Sequence, residues 1–419
     1  MSLTIQADKP IPPKNPSRWH KLLNGLPLFL IILALLAFFG YFLIYVNYAW
    51  NLFQFPFDYD QGEGFELMDT LLFSQGEWPY RDNNSYPFYS SNYPPLFHVV
   101  IVPLVWLFGP QYWTGRLVSF LGTLITALAI SYAVQRAGKR WWLSALAGLA
   151  FLASNYVYHV GPLFRQHMFM VMFETLAVVL MAITIEREEK DGKKRTWQLA
   201  LVMLLLLAAG YTKQLAYATV ATVFIFFFLR QTWRAVLWAI PFAIITGAIF
   251  FWIDRSTNGM WLLNTVTANI NPFIPGQAQG LFRQWFQLHV LITLVATIFT
   301  IYQLYFERLS IYAIWFAVAV LNSITAGKWG AGESYFATAI AASCILTGLA
   351  FGRMLDQAKI RGWGWHTAIL TLIPLLFLIQ ANQMFHMPTH TPLLATIART
   401  LGRPTAVMIA PQTSCSAPR

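Results

Sequence analysis

Long apolar runs recur along the whole chain, with short polar connections between them. A helix needs roughly 20 apolar residues to cross a bilayer core of about 30 Å. Runs that meet or nearly meet this length cover approximately residues 26–46, 113–135, 141–158, 168–185, 197–212, 214–230, 235–253, 287–305, 309–326, 335–351 and 366–384. The pattern predicts an all-α polytopic membrane protein with about 11 transmembrane helices.

The composition agrees with this class and argues against nucleic acid as a partner. Of 419 residues, 57% are hydrophobic and only 11% are charged, whereas soluble domains carry about 25% charged residues. The net charge is +11, but the basic residues fall in short clusters between apolar runs, as in cytoplasmic loops. Only two cysteines occur, Cys344 and Cys415, so no disulfide framework is expected.

The first apolar run follows a basic segment, residues 1–25. It is longer than the core of a signal peptide and lacks a small-residue cleavage site. We therefore expect a retained anchor with a cytoplasmic N-terminus. The last segment, residues 386–419, is too short for a hydrophobic core of its own.

A shorter run, Pro94–Gly109, is interrupted by Pro103 and is predicted to be re-entrant. If it does not cross, 18 of the 28 Lys and Arg residues fall on the cytoplasmic side, as the positive-inside rule requires. The basic connections placed there are Arg136–Arg140, Glu186–Arg195, Arg230–Arg234, the turn with Arg308, and Arg353–Arg361. The C-terminal tail is then extracytoplasmic.

The same assignment of loops to the two sides places most other ionisable residues on the outer face. They are Asp58, Asp60, Glu63, Arg81, Arg165, His167, Lys213, Arg255, Arg283, Lys328 and Glu333. Because ionisable groups near membrane depth are costly, they are functional candidates by default. In contrast, His98, Glu174 and His289 lie within apolar runs and are interpreted as hydrogen-bonded core groups.

The first outer loop, residues 47–112, opens with acidic residues and continues into an amphipathic helix at Phe65–Phe73. A carboxylate from Asp58, Asp60 or Glu63 there can act as general base on an acceptor hydroxyl, or bind a metal or a sugar hydroxyl. Equally, the two aspartates can cap the helix that follows. Both interpretations stay open.

Isolated cations on the outer face allow two interpretations as well. Lys213 lies in a tight turn between two apolar runs, with no other charged residue near it in sequence. Such cations either snorkel to the interface or bind an anion such as phosphate through charge-assisted hydrogen bonds.

Several short motifs occur in a fixed order along residues 26–385. They are the acidic motif, Gly76-Glu77-Trp78-Pro79-Tyr80-Arg81-Asp82, Tyr93-Pro94-Pro95-Leu96, Gly115-Arg116-Leu117, Thr212-Lys213, and Lys328 to Phe336 with Gly330, Gly332, Glu333 and Tyr335. With its motifs in this order and on these predicted sides of the membrane, the chain resembles the C-type (GT-C) glycosyltransferase superfamily. It is most similar to the bacterial branch related to protein O-mannosyltransferases and the aminoarabinose transferases of lipid A.

The resemblance implies a bacterial plasma-membrane enzyme with a polyprenyl-phosphate sugar donor and inverting transfer on the outer face. The acceptor is left open as a lipid, glycan or protein, and membrane lipids are the other partners. Spacing from Gly76 makes Asp60 the match for the catalytic aspartate, with Asp58 and Glu63 beside it. Lys213 and Lys328 match positions for the donor phosphate. The expected substrate-binding residues are Arg81, Tyr93, Arg165, His167, Lys213, Lys328, Glu333 and Tyr335.

The second outer loop departs from the family pattern. Many relatives carry Arg-x-Asp there, whereas this chain has Arg165-Gln166-His167. Without that carboxylate we do not predict a metal shared between the first two outer loops, although a divalent metal stays an open alternative, and no other cofactor is predicted.

Two other functions compete with the transferase. A transporter or flippase of lipid-linked sugars places its binding groups near the midplane, on broken helices and repeats. Here the charges gather at one face and the apolar runs look unbroken, which favours an enzyme. A non-catalytic lipid-binding partner, the third alternative, predicts that no single carboxylate is essential.

Overall fold

The computed structural model describes residues 18–384, and over this range every regular element is helical. The predicted N-terminal segment and C-terminal tail lie largely or wholly outside the described residues. The α-helices are α1 (Arg18–Phe53), α2 (Glu63–Ser74), α3 (Leu96–Phe108), α4 (Tyr112–Gly138), α5 (Trp141–Ala153), α6 (Asn155–Tyr158), α7 (His167–Asp191), α8 (Thr196–Thr212), α9 (Tyr217–Arg230), α10 (Thr232–Ser256), α11 (Met260–Leu262), α12 (Pro275–Leu288), α13 (Val290–Phe306), α14 (Ile311–Asn322), α15 (Ala337–Arg361) and α16 (Trp363–Met384).

Length and composition mark this chain as an integral membrane protein. Among the described residues six helices are long and apolar enough to cross a membrane, namely α1, α4, α7, α10, α15 and α16. A seventh is obtained if α12 and α13 are taken together as one span. All the predicted runs fall on apolar helices, but α5, α8, α9 and α14 are short, so 11 crossings stay a prediction.

Some predicted boundaries were wrong. The first apolar run was expected to end at residue 46, but α1 continues to Phe53, which shortens the outer loop. The run 287–305 was expected to be unbroken, whereas α12 and α13 meet at His289 with a bend of 94°. Apolar side chains of α12, including Trp285 and Leu288, are buried against the bundle, so its amphipathic pattern reflects packing on the protein.

The short helix α3 agrees with the re-entrant prediction. Its 13 residues extend for about 20 Å at 1.5 Å per residue, less than the roughly 30 Å of a bilayer core. Trp106 Nε1 donates to Ser74 O at 2.9 Å, which joins the end of α3 to the end of α2. The predicted amphipathic helix at 65–73 is confirmed as α2.

Small residues bring the central helices into close contact. A Cβ atom at Gly148 of α5 would lie 2.6 Å from Ala127 O of α4, and one at Gly348 of α15 would lie 2.6 Å from the Val134 side chain. Packing through small residues is typical of membrane helices, because lipid supplies no hydrophobic force between them. The buried helices α7 and α15 form the centre of the bundle.

The basic connections meet at one end of the bundle, which we call the basic end. Ion pairs and a hydrogen bond join them across long sequence separations: Arg136–Glu186 (3.1 Å), Arg140–Asp356 (2.7 Å), Arg308–Glu189 (3.6 Å), Arg353–Glu307 (2.6 Å), Arg234–Glu188, and Arg230 to Leu309 O (2.7 Å). The loops that charge parity assigned to one side thus share one side. Which side of the membrane this is stays a prediction.

At the opposite end, a buried ion pair fixes the first outer loop. Arg116, in the first turns of α4, and Glu63, at the start of α2, are both fully buried. Arg116 Nε and Nη2 donate to the two carboxylate oxygens at 2.9 and 2.5 Å. The same guanidinium donates to the carbonyl oxygens of Leu52, Phe55 and Phe57 at 2.7, 2.5 and 2.8 Å.

The Glu63 carboxylate is saturated as well. Its oxygens also accept hydrogen bonds from the backbone N–H groups of Tyr59 at 3.0 Å and Phe164 at 2.7 Å. A buried ion pair is tolerated when its remaining donors and acceptors are satisfied. This pair therefore joins the end of α1, the start of α2, α4 and the loop before α7.

We predict that the two ends of the bundle lie on opposite sides of the membrane. Lys193→Cys, at the basic end, and Trp329→Cys, an exposed position at the other end, should react with a membrane-impermeant maleimide from opposite sides of sealed vesicles. Cys415→Ser is the background, since Cys344 is buried. Labelling of both positions from the same side contradicts the arrangement.

Glu63→Ala should destabilise the protein by about 3–5 kcal/mol, because it leaves the Arg116 charge buried without its partner. Arg81→Ala is the matched control, since Arg81 pairs with the exposed Glu77 and a surface pair contributes about 0–1 kcal/mol. Thermal unfolding of the purified variants in detergent measures both. Equal losses in the two variants would show that the buried pair does not hold the loop.

Candidate active site

Asp60 lies in the turn before α2, and Arg165 holds it in place. Arg165 Nε and Nη2 lie 2.8 and 2.7 Å from the same carboxylate oxygen, Oδ2. Among the described residues, nothing donates a hydrogen bond to the other oxygen, Oδ1. Gly62 makes the approach possible, because a Cβ atom there would lie 2.1 Å from the guanidinium. One oxygen of Asp60 is thus anchored and the other is available.

Asp58 has a different environment. Its Oδ2 accepts a hydrogen bond from Gly64 N at 3.2 Å, in the first turn of α2. Burial raises the pKa of this carboxyl above its ordinary value. The capping interpretation therefore fits Asp58, whereas Asp60 faces the cavity described next.

A cavity of about 250 Å³ opens between the first outer loop, the turn after α8 and the segment before α15. We call it the cavity. It is lined by Asp60, Tyr93, His159, Val160, Leu163, Arg165, Gln166, His167, Lys213 and Gly330–Tyr335. The structure thus brings together seven of the predicted site residues, which come from five separate parts of the sequence: Asp60, Tyr93, Arg165, His167, Lys213, Glu333 and Tyr335.

Lys213 is the most enclosed cation in the cavity. It is 7% exposed, and its ammonium lies 5.0 Å from the Tyr93 ring centroid and 5.3 Å from that of Tyr335. No carboxylate pairs with it within residues 25–384. Burial lowers its pKa to about 8. A snorkelling lysine would expose its ammonium to water, so this geometry favours anion binding.

The far wall of the cavity carries a second polar pair. Glu333 Oε1 lies 3.6 Å from His159 Nδ1, and this histidine lowers the pKa of Glu333. His159 was not predicted as a site residue, because it follows an apolar run without any motif. His167 is buried beside Tyr335, with 5.8 Å between the ring centroids.

Helix α12 supports the segment that carries Glu333 and Tyr335. The Gln277 amide nitrogen lies within 2.7–3.0 Å of the carbonyl oxygens of Ala326, Lys328 and Ala331. In addition, Ile274 N donates to Gly327 O at 2.7 Å. This wall of the cavity is therefore attached to α12.

The other predicted site residues lie outside the cavity lining. Glu63 is committed to Arg116, so its geometry indicates a positioning role for the loop instead of a catalytic one. Arg81 pairs with Glu77 and donates to Trp78 O at 3.2 Å. Lys328 is half-buried, two residues before the lining segment.

Sequence reasoning missed the carboxylates beneath Asp60. Glu66 and Asp69 are buried on α2, and Glu66 Oε1 lies 3.4 Å from Arg165 Nη1. Gln166, with its amide nitrogen turned towards Glu66, donates to the carboxylate at 3.0 and 3.2 Å. Burial raises the pKa of Glu66 to about 8 and that of Asp69 to about 6. The sequence signal for these carboxylates was a pair of acidic residues three positions apart, which lie on one face of a helix.

All three residues interpreted as hydrogen-bonded core groups are buried and hydrogen-bonded, His98 through Thr70 Oγ1 at 3.0 Å. Glu174 accepts hydrogen bonds from Thr219 and Thr338 at 2.6 and 2.7 Å. His289 contacts Ser154 Oγ at 2.7 Å and Trp285 O at 2.9 Å. His98 is also buried, but it faces Glu66 and Asp69.

Known proteins resemble this chain in structure only. No family model and no curated protein sequence matches it. ArnT from Cupriavidus metallidurans superposes with a TM-score of 0.56 in the form bound to undecaprenyl phosphate, at 14% identity over 94% of this chain and 82% of ArnT. Its apo form also gives 0.56, at 15% identity over 92% and 81%.

An oligosaccharyltransferase from Archaeoglobus fulgidus gives a TM-score of 0.55 at 11% identity. The match covers 90% of this chain but only 58% of that protein. Both neighbours are C-type glycosyltransferases. The helical bundle therefore has the fold of these C-type glycosyltransferases.

Proposed function

We propose that this protein is a membrane glycosyltransferase that moves a sugar from a polyprenyl-phosphate donor to an acceptor hydroxyl on the extracytoplasmic face. The observation that carries the proposal is the shared cavity of Asp60 and Lys213. It places a carboxylate with a free oxygen and an enclosed ammonium within one small volume. These are the two charges that sugar transfer from a phosphate requires.

Lys213 is suited to the donor phosphate. A buried ammonium with no carboxylate partner is unfavourable, and a phosphate oxygen bound there supplies the missing negative charge. The flanking rings of Tyr93 and Tyr335 exclude water and hold the cation by cation–π contact. The structural neighbour ArnT has been crystallised with undecaprenyl phosphate bound, which supports this class of donor.

Asp60 is suited to act as the general base. Its Oδ1 accepts the proton of an acceptor hydroxyl while Arg165 holds Oδ2. The acceptor oxygen then bonds to the anomeric carbon as the bond from that carbon to the phosphate oxygen breaks. The electron pair leaves with polyprenyl phosphate, next to the Lys213 charge. Attack from the face opposite the leaving group inverts the anomeric centre.

We expect Asp60→Asn to lower the transfer rate by about 100- to 10,000-fold, the usual contribution of a general base, while donor binding is kept. Asp58→Asn is the matched control and should retain most activity, because Asp58 caps α2. Transfer from a synthetic polyprenyl-phosphate sugar in proteoliposomes measures both variants.

The opposite pattern, with only Asp58→Asn inactive, would assign the base to Asp58. Full activity in both variants would exclude catalysis by this loop. Movement of the donor across the bilayer without transfer, equal in wild type and Asp60→Asn, would instead support the transporter alternative.

Donor affinity should fall as the pH rises through about 8, the lowered pKa of Lys213, because the ammonium is charged below this value and neutral above it. Glu66 raises the pKa of Lys213 and Arg165 lowers it. His167, Tyr93 and Tyr335 also face the ammonium. The donor's phosphodiester keeps its charge over the same range.

Lys213→Arg is the matched control. It stays charged at all of these pH values, so its donor affinity should fall less with rising pH than that of wild type; the remaining fall is due to Glu66, whose pKa is also about 8. Lys213→Ala should bind weakly throughout. Equilibrium binding of the donor to protein in nanodiscs, from neutral pH upward, measures this. The same pH dependence in Lys213→Arg as in wild type would assign the titration to another group.

A further inference from the structure

Three metal-ligating side chains meet beneath the cavity without lining it. Glu66 and Asp69 lie one turn apart on α2, and His98 lies on α3; all three are buried. His98 Nε2 lies 3.3 Å from Glu66 Oε2 and 3.7 Å from Asp69 Oδ2. One ligand atom from each residue falls within 4.8 Å of the others.

The hydrogen bonds of Thr70 determine which nitrogen of His98 carries the proton. Thr70 Oγ1 donates its single hydrogen to Glu66 O at 2.8 Å, yet it also lies 3.0 Å from His98 Nδ1. Since a hydroxyl has only one hydrogen, we assign the proton of the neutral His98 ring to Nδ1, which then donates to Thr70. The lone pair of the neutral ring is then on Nε2, and it points towards the two carboxylates.

Nothing among the described residues satisfies that lone pair. His98 Nε2 is buried and makes no hydrogen bond. Other donors hold the carboxylates in position: Tyr89 and Ser91 donate to Asp69 at 2.5 Å each, and Arg165 and Gln166 contact Glu66. Three ligand atoms that face one another in a buried site are unfavourable unless a proton or a metal ion lies between them.

We propose that Glu66 Oε2, Asp69 Oδ2 and His98 Nε2 bind a divalent transition-metal ion, Zn²⁺ or Mn²⁺. Zinc bonds of about 2.0–2.2 Å to nitrogen and oxygen give tetrahedral ligand separations of about 3.3–3.5 Å, close to the separations of Nε2 from the two oxygens. A ligating histidine usually donates its other N–H to a fixed acceptor, as His98 does to Thr70. Mixed imidazole and carboxylate ligands suit these metals.

The ion would act on Asp60 through the residues between them. It fixes Glu66, whose other oxygen contacts Arg165, and Arg165 anchors Asp60. The three ligands are therefore positioning residues, and they also join α2 to α3. This site does not depend on the proposed transferase activity, because metal binding is measured directly.

The test is the metal content and metal affinity of the full chain in detergent. We expect about one equivalent of zinc or manganese by mass spectrometry of the purified protein, removed by a chelator and restored by adding Zn²⁺ or Mn²⁺ alone. His98→Gln, Glu66→Gln and Asp69→Asn should each lower the affinity at least 100-fold. Thr70→Val, which keeps all three ligands, should lower it about 10- to 100-fold.

His289→Gln is the matched control, because His289 is equally buried but hydrogen-bonded by both nitrogens; its metal content should be unchanged. Should a ligand variant fail to fold, Thr70→Val and the chelated wild type still decide the question. The proposal is overturned if wild type binds neither metal, or if the ligand variants and Thr70→Val bind it as tightly as wild type does. Absence of metal binding in wild type would mean that a proton occupies the position between the three atoms, and unchanged affinity in the variants would mean that the metal binds elsewhere.

Discussion

The arrangement of the cavity end of the bundle depends on the buried ion pair between Arg116 and Glu63. The guanidinium takes its partners from three carbonyl groups and one carboxylate, so the chain between α1 and α2 has little freedom to move. Glu63 also accepts from Phe164 N, next to the residue that anchors Asp60. A buried charge is unfavourable without its partner. This one ion pair therefore sets the distance between the first two outer loops and the position of the Asp60 carboxylate at the cavity.

Charge is used differently at the two ends of the bundle. At the basic end, arginines and acids neutralise one another in exposed pairs that join the connections. At the cavity end, two charges are incompletely paired among the described residues. The partly exposed Asp60 has one carboxylate oxygen without a donor, and the buried Lys213 has no carboxylate partner and lies against the rings of Tyr93 and Tyr335. Incomplete pairing at low dielectric is unfavourable for folding but leaves strong fields for a ligand, which is why we place the function at this end.

Part of the structure was predictable, because the length of the apolar runs and the distribution of basic residues can be read from the sequence without knowing how the helices pack. These two patterns predicted the helices and the common side of the basic loops, and the order of the motifs singled out Asp60, Lys213 and Tyr335 as candidates. The sequence could not show that Glu63 meets Arg116 across 53 residues, which makes Glu63 structural. Nor could it show that His98 of α3 faces Glu66 and Asp69, because that contact depends on how two short helices pack. Comparison of apolar runs with the thickness of a bilayer also does not reveal a helix that is broken at a single residue, such as His289.

Helix α12 connects one wall of the cavity to the hydrophobic core of the bundle. Its Gln277 holds the carbonyl groups of the segment that leads to Glu333 and Tyr335, while its apolar side chains Trp285 and Leu288 are buried against that core. A shift of α12 within this packing would therefore move one wall of the cavity relative to Asp60 on the opposite loop, so the tightness of one helix contact becomes a variable that sets the width of the site.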